Sequence, residues 1–242
     1  MVCMLHTFWY NVLVEPLHNA LAFFVGIVPW GDVGIAVILL TLVVKLILSP
    51  LSKKASKSQI ALRALAPQLE TIKETIPDKT AQAQATFALY KQAGVNPFSG
   101  CLIAVIQLPI LIALFQVFKQ QLTFTNTGLY SFIHAPSVVS LSFLGFLPLS
   151  AKSLVLAVIV AVVQYIQTSF LLPKTIKKEN TKKSFQNDLA DSMTTQMKYV
   201  LPIVVGFAAY AGGVALGLYL LTSSLFTIGQ EWYIKKNFKP TL

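Results

Sequence analysis

Between Lys198 and Glu231 the chain runs for 32 residues without a charged side chain. As one helix that stretch would be about 48 Å long, against roughly 30 Å of bilayer hydrocarbon, so a single span cannot use it. Gly212-Gly213 is the natural place to turn, which predicts two spans, about 199–212 and 215–234. Three more spans follow from the same rule, since an ionised group at the bilayer centre costs about 2.5–3.5 kcal/mol. They cover about 33–50, with only Lys45 inside and Pro50 expected to end the helix, then 98–118 and 153–172. Only 12% of residues are charged, 55% are hydrophobic and mean hydropathy is +0.67, which excludes an ordinary soluble domain with its roughly 25% of charged residues.

The net charge of +10 is unevenly placed. Of 19 basic residues, 16 fall in 51–98, 173–198 and the tail, while the opposite side holds only Lys119 and Lys152, both at span ends. Basic residues set between apolar runs point to lipid headgroups, the ribosome or other chains rather than to a particular nucleic acid sequence. The positive-inside rule then puts the N-terminus outside and the C-terminus in the cytoplasm, an arrangement that needs an odd number of spans. The fold class expected is an all-α membrane protein with five transmembrane helices, an N-terminal interfacial helix and a cytoplasmic helical hairpin.

The remaining segments have their own character. Residues 1–30 lack the basic start of a signal peptide and read as an amphipathic helix on the outer leaflet, with Asn11, Glu15 and His18 on one face and Pro29-Trp30-Gly31-Asp32 turning into the first span. Segment 51–96 is polar and helical in pattern, with a break at Ile76-Pro77-Asp78 that predicts helices over about 52–75 and 79–93. The loop 119–152, with turns at Thr127-Gly128 and Ala135-Pro136-Ser137, suits the outer membrane surface. The lysine-rich loop 173–198 is expected to be mobile, and 235–242 forms a cytoplasmic tail. Cys3 and Cys101, 98 residues apart, suggest neither a disulfide framework nor a zinc site.

Within the spans, the polar residues carry the chemistry. Lys45 has Thr41 one turn before it, which allows a wet polar stripe; equally, a lysine one turn from Ser49 can snorkel to the headgroups. Tyr219, Ser223, Thr227 and Gln230 share one face of the last span, Gln164, Gln167 and Thr168 do so in the third, and Gln107 lies in the second. Taken singly these are ordinary interhelical hydrogen bonds, worth about 0.6 kcal/mol each. Together with a lysine they favour a hydrated interior. Glu231, four residues before Lys235, reads as a surface pair. No phosphate-binding loop, HExxH or serine elbow is present, and all three histidines fall on the outer side, so neither an enzyme, a metal site nor a cofactor is expected.

The run Leu89-Tyr90-Lys91 followed by QAGVNPFSGCLIAVIQLPILIALFQVF resembles the signature of the YidC/Oxa/Alb membrane protein insertases. The stretch GDVGIAVILLTLVVKLILSPLSKKA resembles that family's first core span, and Gly217-Leu218-Tyr219 with Ser223 its last, so the likeness covers about 29–236. The short form, without a large outer domain or a long basic tail, is the closer comparison. Lys45 stands where the family pattern has arginine, Ile103 where a proline often follows GCL, Leu220 where an aromatic is frequent and Ser224 where asparagine is frequent. The resemblance implies a hydrophilic groove open to cytoplasm and lipid, kept wet by Lys45, Thr41, Gln107, Ser223 and Gln230. It would take newly made membrane proteins without nucleotide hydrolysis, in a bacterial plasma membrane, with the Sec translocon and the ribosome as partners. The competing reading is a small ion or solute channel using the same polar interior.

Overall fold

The computed structural model describes residues 2–96, 99–119, 124, 129–171 and 185–238. Its helices are α1 (Val2–Trp9), α2 (Glu15–Ile27), α3 (Val33–Ala64), α4 (Ala66–Thr75), α5 (Lys79–Gln92), α6 (Ser99–Lys119), α7 (Leu154–Leu171), α8 (Phe185–Ala211) and α9 (Gly213–Asn237). A two-stranded hairpin, β1 (Ser142–Phe143) and β2 (Leu147–Pro148), precedes α7. Among the described residues α3, α7 and α9 are long and apolar enough to cross a membrane, and Ile106–Lys119 is a shorter apolar stretch. The chain divides into two units, Met1–Leu46 with Pro109–Ile228, and Ile47–Leu108 with Gly229–Leu242.

In the first unit, a π-helical turn at Tyr10–Val14 joins α1 to α2. Pro16 has no N–H and its ring would crowd the carbonyl four residues back, and the wider turn just before it relieves both demands. Asn19 is the polar group this helix buries: its Nδ2 donates to the Glu15 carbonyl at 2.9 Å and its Oδ1 accepts from Tyr130 N at 2.7 Å. Trp9 Nε1 donates to Gln116 Oε1 at 2.9 Å, tying α1 to α6. His18 packs against the Phe124 ring at 5.4 Å between centroids, and burial lowers its pKa below the ordinary 6.5.

The starts of α3 and α9 are held by loop backbone. Asp32 caps α3, its Oδ1 accepting from Ile35 N at 3.0 Å, while its Oδ2 accepts from Leu144 N at 2.7 Å. That second bond steadies Leu144, a non-glycine residue at φ 52 in the β1–β2 turn. Ser140 N donates to the Gly31 carbonyl at 2.9 Å, and Val33 N to the Ser140 carbonyl at 3.2 Å. Between α8 and α9, Gly213 takes φ +79, and the next two amides, of Val214 and Ala215, donate to the carbonyls of Ala151 and Leu149 at 3.1 Å each. Gly206 lets α8 lie close on α7, since a Cβ there would stand 2.9 Å from Ala161 Cβ and 3.2 Å from the Ala157 carbonyl oxygen. The outer faces of this pair stay bare, with Val155 73% and Phe207 70% exposed, as suits side chains solvated by lipid.

In the second unit α3 passes Pro50 instead of stopping there. One backbone bond is lost at the proline, but Lys53–Ala64 has three lysines, three alanines and one each of arginine, leucine and glutamine, with no proline or glycine, and these good helix formers carry the helix on. Leu65, 1% exposed, marks the junction with α4, and the break at 76–78 precedes α5, whose N-cap Asp78 accepts from Ala81 N at 2.8 Å. The GVN turn is a helix C-terminus: Gly94 sits at φ +64, Val95 N bonds to the Tyr90 carbonyl at 3.1 Å and Gly94 N to that of Lys91 at 3.2 Å.

One further difference from the sequence reading concerns a loop. α8 begins at Phe185, inside the 173–198 loop expected to be mobile, because FQNDLADSMTTQMK contains no proline or glycine and runs directly into the apolar segment. Residues 172–184, the Thr127-Gly128 turn and the end of the tail from 239 lie outside the described residues.

Gly206→Leu is expected to lower stability by about 1–3 kcal/mol through overpacking against Ala161, read as a lower thermal midpoint in detergent. Gly26→Ala, with nothing within 4 Å of the added carbon, is the control that holds or raises it. His18 binds fewer protons folded than unfolded, so stability is expected to fall as pH drops through 6.5 and below. His18→Gln flattens that part of the pH–stability profile.

Candidate functional site

Lys45 lies on the fourth turn of α3, in the first unit, at half burial. Its Nζ donates to Thr227 Oγ1 of α9 at 3.4 Å. The Thr227 hydroxyl spends its own proton on the Ser223 carbonyl at 2.8 Å, so its lone pairs face the ammonium. The arrangement places an oxygen acceptor beside a cation on a helix that is otherwise apolar here. Thr41, 2% exposed, donates to its own helix at the Val37 carbonyl, 2.7 Å away. That bond leaves only its oxygen lone pairs to the interior. Ser223 and Tyr219 are buried on α9, at 7% and 1% exposure.

A second polar contact joins α9 to α7. Ser224 Oγ donates to Gln164 Oε1 at 3.0 Å. Thr168 bonds back to the Gln164 and Tyr165 carbonyls at 2.8 and 3.1 Å, while Gln167 Oε1 is buried with no hydrogen-bond partner among the described residues. On a helix of 100° per residue, Tyr219, Ser223, Thr227 and Ser224 cover an arc of about 140°, with α3 meeting its middle and α7 one edge.

Of the expected site residues, Thr41, Lys45, Gln164, Gln167, Tyr219, Ser223 and Thr227 belong to the first unit, whereas Gln107 and Gln230 belong to the second. Gln230 Nε2 donates to the Ser49 carbonyl there at 3.4 Å. Sequence reasoning treated Ser224 only as a departure from a pattern. The signal that could have found it was its place as a buried hydroxyl on a span that must bond something, with glutamine in a neighbouring span as the natural acceptor. Glu231 is also not the surface group expected: it is 4% exposed and accepts a hydrogen bond from Ser56 Oγ.

The profile of the family described as 60Kd inner membrane protein matches residues 24–241. The chain belongs to that family. The resemblance to YidC/Oxa/Alb proteins seen in the Leu89–Phe118 run is therefore upheld across nearly the whole chain. Relatives include the proteins named membrane protein insertase YidC of Neisseria gonorrhoeae strain NCCP11945, 29% identical over 233 residues, and of Francisella tularensis subsp. novicida, 30% identical over 234. These alignments cover 96% and 93% of this chain but 36% and 38% of the relatives, so the chain spans well under half their length. A crystal structure described as an active YidC insertase with its first transmembrane domain resolved matches with TM-score 0.57 and 29% identity, over 93% of this chain and 47% of that one. The fold is thus that of the 60Kd inner membrane protein family, mostly helical and membrane-embedded. The channel reading gains no support from these matches.

The Ser224–Gln164 bond yields a direct check. A double-mutant cycle with Gln164→Ala and Ser224→Ala is expected to give a coupling of about 0.6 kcal/mol in the stability of the membrane-reconstituted protein. Zero coupling would mean that the two side chains do not meet.

Proposed function

We propose that the chain is a membrane protein insertase: it takes short, newly made membrane proteins from the cytoplasm and passes their apolar segments into lipid. The observation that carries this reading is the Lys45–Thr227 contact, a lysine ammonium kept on an apolar helix beside a hydroxyl of another helix, in a chain of the 60Kd inner membrane protein family. The relatives' name, membrane protein insertase YidC, supports it.

In this reading five spans place the N-terminus outside and the C-terminus in the cytoplasm, with α6 and the apolar part of α8 joining α3, α7 and α9 as spans. Lys45, Thr41, Ser223, Thr227, Tyr219, Gln164 and Gln167 line a groove open to lipid and cytoplasm. A positive charge in a site of low local dielectric attracts a substrate's acidic outer segment far more strongly than it would in water. Burial of the substrate's apolar helix in lipid then drives release, so no nucleotide is needed. Helices α4 and α5 receive the nascent chain on the cytoplasmic side, beside the ribosome or the Sec translocon.

Complementation of an insertase-depleted bacterium tests this, with membrane levels checked by blot. Wild type and Lys45→Arg are expected to rescue, while Lys45→Gln and Lys45→Glu fail at equal abundance. Rescue by all four would remove Lys45 from the mechanism and leave it a snorkelling boundary residue. Failure of well-expressed wild type would count against the insertase reading itself.

A further inference from the structure

Near the end of α9 the spacing of Glu231 and Lys235 would make an exposed helical pair, yet the carboxylate is buried at 4% exposure against α3. Its Oε1 accepts the hydroxyl proton of Ser56, itself 1% exposed. Two further contacts join α3 to α9 and to Phe238, the residue just after it. Gln230 Nε2 reaches the Ser49 carbonyl at 3.4 Å, and the Lys57 ammonium lies 5.2 Å from the centre of the Phe238 ring. Positions 49, 56 and 57 of α3 meet 230 and 231 of α9 and 238 just beyond it in ascending order, so the two run parallel along this seam, all of it inside the second unit.

A buried carboxylate persists where donors and cations compensate it. Ser56 is the donor. The cations are Arg63, two turns further along α3, and Lys235, one turn further along α9: the charge of Glu231 acts attractively on both, and Arg63 acts repulsively on Lys235. One carboxylate thus stands among two cations that repel each other. Removing its charge would take that attraction away and leave the repulsion in place on the seam that joins α3 to α9.

We infer that Glu231 is an electrostatic latch and a positioning residue: by accepting from Ser56 and offsetting Arg63 and Lys235, it fixes the basic stretch Lys53–Arg63 of α3 on the last turns of α9. Because α3 leads through Leu65 into α4, which contacts α5, the latch sets where that polar segment stands. Its consequence for insertion rests on the function proposed above.

Hydrogen exchange on the full chain in lipid nanodiscs tests the latch, using Glu231→Gln, Glu231→Asp and the double variant Arg63→Gln/Glu231→Gln. Glutamine keeps the shape and can still accept from Ser56, so it removes the charge alone. Glu231→Gln is expected to speed exchange at 53–64 and 232–238 by about tenfold, the scale of a charge-assisted contact. Aspartate keeps most of the protection, and the double variant returns to within about threefold of wild type. Insertion of a short membrane protein into proteoliposomes is expected to fall and recover in the same order. Wild-type exchange in Glu231→Gln overturns the latch. Equal damage in the single and double variants overturns its electrostatic basis, and faster exchange with unchanged insertion overturns the positioning role. If wild type itself inserts nothing, the insertase reading falls while the exchange comparison still decides the latch.

Discussion

A backbone amide inside hydrocarbon has no water to bond, and each one left without an acceptor costs several kcal/mol, so a membrane helix is most exposed to failure at its ends. In this protein the ends of α3 and α9 are met by one stretch of loop. Ser140 bonds to the chain at Gly31 and Val33, the Asp32 carboxylate holds both Ile35 N and Leu144 N, and Leu149 and Ala151 accept the first amides of α9. Helix α7 begins three residues after Ala151, its Leu156 N capped by Ser153 Oγ at 3.2 Å. Three helices therefore leave one knot of backbone bonds, all in the first unit and all in the same direction.

That common origin explains why the polar side chains meet. Lys45 is 12 residues into α3 from Val33 and Thr227 is 14 into α9 from Gly213, which at 1.5 Å per residue puts them about 18 and 21 Å from their helix starts. Gln164 is 10 residues into α7 and Ser224 is 11 into α9, or about 15 and 17 Å. Each bonded pair lies at matched depth. The knot acts on the candidate site through helix rise alone, without touching it. Gly206 and Gly217 then set lateral closeness, since a Cβ at either would collide with α7 at Ala161 or Leu156.

Much of this was legible in the sequence where the relevant physics is one-dimensional. The length of the uncharged run after Lys198 forces a turn, and glycine marks it at Gly213; the placement of lysines and the period of Tyr219, Ser223 and Thr227 need no partner to be read. What requires a partner was not legible. Asn19 is buried because Tyr130 N needs an acceptor, and Ser224 matters because Gln164 stands opposite, facts that no spacing along one helix contains. The β1–β2 hairpin is two residues a side and turns through Leu144, a residue with no turn signal, held there by Asp32 more than a hundred positions earlier.

The misreadings of Pro50 and of Glu231 have a single cause. A proline ends a helix when the residues beyond it have no reason to remain helical, and Lys53–Ala64 has that reason both in its propensity and in its seam with α9. A separate helix from about 52 gives Ser56 and Arg63 no fixed register against α9, and the partner that spacing then offers Glu231 is the local one, Lys235. With α3 continued, the same carboxylate becomes a buried contact between two helices. The continuity of one helix through its proline thus decides where a charge on another is buried.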